Sequence, residues 1–172
     1  SIGSFSYSFL LLYAKEAGFQ AAAVPLLYLI FTLVAALCSL PFGKLSDRIG
    51  RKPVLFFSFL SWGLTCAGFL YLETSAGIIL SFIFFGLHKA ALEPVQKTLV
   101  SELAPSEIRA SALGGFQMIV GLCAFPSSLF AGLLWEHIQP EAPLYCSLFL
   151  TIITLGLLFL VKEKRKAVKI SS

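Results

Sequence analysis

With 172 residues, 58% of them apolar and only 13% charged, the chain has a mean hydropathy of +0.88. A soluble domain is nearer half apolar and about a quarter charged, so this composition excludes an ordinary water-soluble fold and points to membrane spans. The formal charge of +4 does not indicate a nucleic-acid partner, because the cations sit in loops and a tail beside the apolar runs, where they set membrane orientation.

The first run, residues 1–14, opens the chain with no initiating Met and no signal-peptide pattern. It is too short to span, so it reads as a first helix cut at its start, in a fragment or truncated product. A loop with Lys15, Glu16 and Gly18 follows. The second run, 24–42, leads into a charged ten-residue stretch, Gly43-Lys-Leu-Ser-Asp-Arg-Ile-Gly-Arg-Lys52, which reads as a turn. The third run is 53–72, ended at Glu73, and the fourth is 77–100. A polar connection through Glu102, Pro105 and Glu107 precedes the fifth run, 108–135. Beyond Glu136, His137, Pro140, Glu141 and Pro143 lies the sixth, 144–161, and then a basic tail, 162–172. Each complete run can cross a core of about 30 Å at about 1.5 Å per residue. Continuous apolar runs without alternation predict helices rather than barrel strands. The expected fold is therefore all-α: a polytopic membrane bundle of six transmembrane helices.

Alternate loops carry charge of opposite weight. Eleven cations fall on one side: Lys44, Arg48, Arg51, Lys52, Lys97, Arg109, Lys162, Lys164, Arg165, Lys166 and Lys169. The other side has Lys15, and Lys89 lies within a run. This asymmetry predicts that both chain ends are cytoplasmic, with the tail acting as a topology signal and secondarily touching anionic lipid. The four cysteines, Cys38, Cys66, Cys123 and Cys146, fall inside apolar runs without metal-ligand spacing and read as small buried hydrophobes.

The stretch 43–52 packs four cations, one carboxylate and two glycines between greasy segments. Its charges cannot enter hydrocarbon and its flanks cannot stay in water, so it sits at a membrane surface. It fits G-x-L-x-D-R-x-G-R-K and resembles the loop signature of the major facilitator superfamily of transporters. The resemblance extends through Lys97-Thr-Leu-Val-Ser-Glu-Leu-Ala-Pro105, Ser-Glu-Ile-Arg109 and the glycine-rich run ending Ala131-Gly-Leu-Leu-Trp-Glu136. These features are similar to the C-terminal six-helix half of bacterial multidrug and metabolite carriers. The fourth run lacks the Arg and following Gly expected of an N-terminal half. The fifth has Gly121 and Pro126 without the full glycine–proline signature of antiporters. The resemblance thus implies one domain, 1–172, a C-terminal half whose N-terminal six-helix partner is missing.

Two residue groups follow from it. Gly43, Asp47, Arg48, Gly50, Arg51, Glu102 and Arg109 would form a conformational latch. Both glycines would let the backbone turn tightly, and Asp47 would accept hydrogen bonds from the amino end of the fifth helix near Ile108. Glu102 would pair with Arg51 or Arg109. The second group is a substrate or proton pathway: Tyr7, His88, Lys89, Glu93 and Gln96. Lys89, Glu93 and Lys97 share one helix face, and ionisable groups at that depth must be paired or wetted. Ser4, Ser6, Tyr7 and Ser8 give the first helix matching polarity. A self-satisfied Lys89–Glu93 pair and a structural His88 are the plainer readings of the same residues.

Small residues at four-residue spacing, Ala35, Ser39, Gly43 and Ala124, Ser128, Gly132, allow close helix approach. Pro94 and Pro126 are expected to interrupt their helices. The third and sixth runs, with Phe56, Phe57, Phe59, Phe69 and Leu148, Phe149, Leu157, Leu158, Phe159, are expected to face lipid. No phosphate-binding glycine loop is present, which argues against ATP-driven transport. His88 and His137 make a poor metal site, and Ser127-Ser128 has no base nearby in sequence, so no enzyme, metal or cofactor is expected. The expected function is secondary active transport of a small molecule by alternating access, with protons as coupling ion by resemblance, in a bacterial inner (plasma) membrane. The alternative is a non-transporting membrane scaffold or degenerate remnant.

Overall fold

The computed structural model describes residues 7–16, 24–72 and 74–160. Ser4, Ser6, Glu73, Val161 and the tail 162–172 lie outside the described residues, as do the side chains of Tyr7, Ser8 and Phe159. Six α-helices follow in order: α1 (Tyr7–Glu16), α2 (Val24–Ile49), α3 (Arg51–Tyr71), α4 (Ser75–Leu103), α5 (Arg109–His137) and α6 (Ala142–Leu160), with a 3-10 turn, Ser106–Ile108, before α5. No strand occurs among the described residues. Helices α2, α3, α4 and the 3-10 turn with α5 are long and apolar enough to cross a membrane, and α6 is a shorter apolar helix. The molecule is an all-α membrane helix bundle.

The charged stretch departs from its expected form. Instead of a ten-residue turn, residues 43–49 continue α2, and the reversal is confined to Gly50, whose φ of 100° is the one positive value among the described residues. Nothing between Gly43 and Ile49 breaks a helix, and the long stems of Lys44 and Arg48 carry their charges outward. Gly43 is not a turn residue; open space lies where its Cβ would be. At Gly50, whose φ of 100° and ψ of 166° lie in a region essentially reserved for glycine, an L side chain would meet strain of about 1–3 kcal/mol. Pro94 and Pro126 likewise lie inside α4 and α5, which run on through them.

Helix α4 lies between α2 and α3, and α3 also packs on α6. The core joins Leu10 and Ala14 of α1, Leu27 and Phe31 of α2, Trp62, Cys66 and Phe69 of α3, Ile78, Phe82 and Phe85 of α4, and Leu144 of α6. A second, smaller cluster, Val54 with Ala91 and Val95, lies nearer the α2–α3 junction. The expectation that α3 chiefly faces lipid is corrected here. Phe57 does point outward, but Phe69 is core, and Ser58, Ser61, Trp62, Thr65 and Cys66 bury a whole face of α3. Hydroxyl and indole groups have no water to bond in hydrocarbon, so they turn toward protein. Trp62 Nε1 donates to Ser147 Oγ of α6 at 2.8 Å, and Thr65 Oγ1 donates to the Ser61 carbonyl at 2.9 Å.

Close approach of α2 and α4 depends on Gly86. A Cβ there would stand 2.7 Å from the Phe31 carbonyl oxygen and 2.8 Å from Val34 Cβ. Backbone cannot yield as a side-chain tip can, so overpacking of about 1–3 kcal/mol is expected. Gly86→Ala should lower the melting temperature and the monodisperse yield in detergent, whereas Gly156→Ala, with nothing within 4 Å, should leave both unchanged.

Candidate functional site

Two charged sites stand at different levels of the bundle. The first is built at the junction of α2 and α3, where Gly50 reverses the chain and brings Arg51 one residue later into the first turn of α3. Arg51 is its hub. Its Nη1 donates to Asp47 Oδ1 at 2.5 Å and to Ser46 Oγ at 2.7 Å, and its Nη2 donates to Glu102 Oε1 at 2.6 Å. One guanidinium therefore ties the end of α2 to the end of α4, across 51 residues of sequence. The fork geometry suits Arg and not Lys, because two nitrogens serve acceptors on different helices at once.

Burial decides how strong this network is. Arg51 is 14% exposed, while Asp47 and Glu102 are 65% and 49% exposed. A fully exposed pair contributes at most about 1 kcal/mol, and a charge-assisted hydrogen bond about 1.5–3 kcal/mol. A covered cation with half-wet partners lies between, so the network's hold is about 1–3 kcal/mol. Ser46, buried beside the guanidinium, is a member that the sequence reading missed; its place within the charged stretch was the available signal.

The remaining latch residues are not drawn in. Asp47 is engaged by Arg51, and among the described residues it does not meet the amino end of α5, contrary to expectation. The Gly50 reversal sets Arg51 of α3 directly against Asp47 near the end of α2, whereas α5 packs on α4 and α6. Arg48 and Arg109 are exposed and form no ion pair among the described residues. Glu102 takes Arg51, not Arg109.

The second site is a face of α4. Lys89 Nζ lies 3.6 Å from Glu93 Oε1 and 6.0 Å from the centre of the Phe85 ring. Both charges are open on this surface, at 36% and 53% exposure, with Gln96 half-buried and Lys97 exposed one turn on. The pair is loose, longer than a direct charge-assisted hydrogen bond of about 2.7–2.9 Å. Tyr7 begins α1, and its side chain lies outside the described residues.

His88 is next to Lys89 in sequence but not in space. It is 1% exposed and faces α3, where its Nδ1 lies 2.9 Å from the Ser58 carbonyl oxygen and 3.0 Å from Ser58 Oγ. Ser58 Oγ in turn donates to the His88 carbonyl at 3.1 Å. The ring sits among Trp62, Phe85 and Phe59, with centroids 5.2, 6.4 and 6.3 Å away. The structure therefore separates His88 from the Lys89–Glu93 face. Ser58 shares its aromatic run with Ser61, and nothing in its spacing pointed to His88.

Small-residue stripes on α2 and α5 are largely uncovered. Gly43, Gly121 and Gly132 have open space where a Cβ would stand, and buried positions on α5 are limited to Ser127 and Ala131. No group of three or more metal-ligating side chains occurs among the described residues.

A family model described as Major Facilitator Superfamily matches residues 1–172. Uncharacterized MFS-type transporter MJ1317 of Methanocaldococcus jannaschii is 40% identical, covering 93% of this chain and 42% of its own length. MFS-type transporter MJ1560 of the same organism is 24% identical, over 83% of this chain and 37% of its own. Multidrug resistance protein 3 of Bacillus subtilis is 25% identical, over 80% of this chain and 27% of its own. The chain thus spans less than half the length of these relatives.

Proposed function

The chain belongs to the major facilitator superfamily, and from that premise we propose that it supplies one six-helix half of a secondary active carrier for a small molecule. The carrier would work by alternating access about a midplane site. Its second half would be another six-helix unit, the N-terminal one, docked on α2 and α5. The length of the relatives and the uncovered small-residue stripes support that assignment. The loop cations support an orientation with both ends cytoplasmic, and the membrane would be a plasma (bacterial inner) membrane.

One observation carries the mechanism: Arg51 joins Asp47 of α2 to Glu102 of α4 at the end of the bundle that the cations place inside. A network there holds that end shut while the opposite end is open, and releases it when the carrier opens inward. The Lys89–Glu93 pair, on an uncovered face of α4, lies where a substrate or a proton would reach it. Proton coupling then assigns Glu93 the proton and Lys89 the charge it answers.

The test is uptake or efflux by the full-length protein in energised membrane vesicles, over a panel of drugs and metabolites, with and without a protonophore. Flux that collapses with the gradient is the expected result. Correctly inserted protein that moves no panel member, and whose Glu93→Gln and Asp47→Asn variants behave as wild type in cells, would leave the scaffold reading instead.

A further inference from the structure

The buried imidazole of α4 uses one of its two nitrogens. Ser58's carbonyl oxygen can only accept, and it lies 2.9 Å from Nδ1, so bonding places the proton on Nδ1 of a neutral ring. Nε2 is then a bare acceptor, buried and without a hydrogen-bond partner among the described residues. Trp62, Phe85 and Phe59 surround the ring, and none of these faces offers a donor to that lone pair except the Trp62 indole, which is committed to Ser147.

The Nδ1 side is the opposite case. Ser58 and His88 bond reciprocally, side chain to backbone in both directions, at 2.9 and 3.1 Å. Two such bonds between one pair of residues fix both the sliding and the rotation of α4 against α3. Farther along the same seam, Thr65 Oγ1 reaches the Ser81 carbonyl at a longer 3.4 Å, a weaker restraint. Successive residues of a helix are about 100° apart, so fixing His88 toward α3 fixes where Lys89 and Glu93 point.

We propose that His88 is a positioning residue: through Nδ1 alone it clamps α4 to Ser58, and so sets the direction in which Lys89 and Glu93 present their charges. The clamp rests on the pathway reading for its effect on transport, but not for its effect on geometry. His88 relays no proton and touches no substrate. Its bare Nε2 is a tolerated by-product of the tautomer that the clamp requires.

Amide isosteres separate the two nitrogens. In the full-length protein, His88→Asn places a donor near Nδ1 and nothing near Nε2; His88→Gln does the reverse. Transport is one readout. The other is labelling by a membrane-impermeant maleimide of Glu93→Cys and, separately, Leu92→Cys, in each His88 background, read at that site by peptide mass so that the native cysteines do not interfere. His88→Asn should keep the transport rate within about threefold and leave the 93-to-92 labelling ratio unchanged. His88→Gln should lose more than about tenfold and shift the ratio. Activity in His88→Gln with loss in His88→Asn would overturn the proposal in favour of a working Nε2, and equal behaviour of the two would overturn it outright. Ser58→Ala keeps the carbonyl that accepts from Nδ1 and removes only the hydroxyl bond to the His88 carbonyl, so it should move the ratio less than His88→Gln does; a shift as large as that of His88→Gln would put the hold on the Ser58 hydroxyl and overturn the clamp. If Glu93→Gln transports normally, the pathway reading falls, while the labelling ratio still judges the clamp.

Discussion

Arg51→Ala is expected to slow transport by the full-length carrier about tenfold or more while leaving its membrane insertion intact. The argument is a population shift. A network that holds one state by about 1–3 kcal/mol changes the balance of states by about 5–150-fold when it is removed. Arg51 is the residue whose loss removes all of it, since Asp47, Ser46 and Glu102 all bond to its guanidinium. Asp47→Asn and Glu102→Gln each take one arm and should cost less than Arg51→Ala. Their effects should also be non-additive with it: Arg51→Ala/Glu102→Gln should be no slower than Arg51→Ala alone, because the partners act as one unit. Arg51→Lys should rescue poorly, since an ammonium cannot reproduce the fork that spans two helices. Initial rates in vesicles, normalised to inserted protein, measure all five. Wild-type rates in Arg51→Ala would remove the latch from the mechanism.

Glu93→Gln is expected to uncouple rather than unfold. Glutamine keeps the shape of the side chain and deletes its charge, on a surface where both partners are already open. Accumulation against a gradient should fall by about tenfold or more, equivalent to about 1.4 kcal/mol of lost driving interaction. Exchange of labelled for unlabelled substrate at equal concentrations, which needs no net proton movement, should persist. Rates in the variant should also lose their dependence on external pH. The lone Lys89 cation left behind is costly at this depth, so Lys89→Met/Glu93→Gln should be better folded than Glu93→Gln alone. A variant that accumulates substrate normally, with the wild-type pH profile, would show that the pair merely satisfies itself.

Much of this molecule is written in one dimension. Long apolar runs, the absence of alternation and the one-sided placement of Lys44, Arg48, Arg51, Lys52, Lys97 and Arg109 need only composition along the chain. They identify a helical membrane bundle and its charged end, because the bilayer imposes length and sign on each segment separately. The stretch 43–52 identified the family for the same reason: its residue types and spacing are local. What the residues at one level of the bundle do to each other is not local. That α2 runs on to Ile49, that Arg51 reaches Glu102, that α3 buries Ser58, Ser61 and Thr65, and that His88 turns away from Lys89 all depend on which helix stands beside which. In segments apolar on every side, hydrophobic periodicity carries little information about facing. The direction of each side chain is settled by where its polar atoms find partners and where a glycine such as Gly86 lets two backbones meet, and only the packed bundle supplies those neighbours.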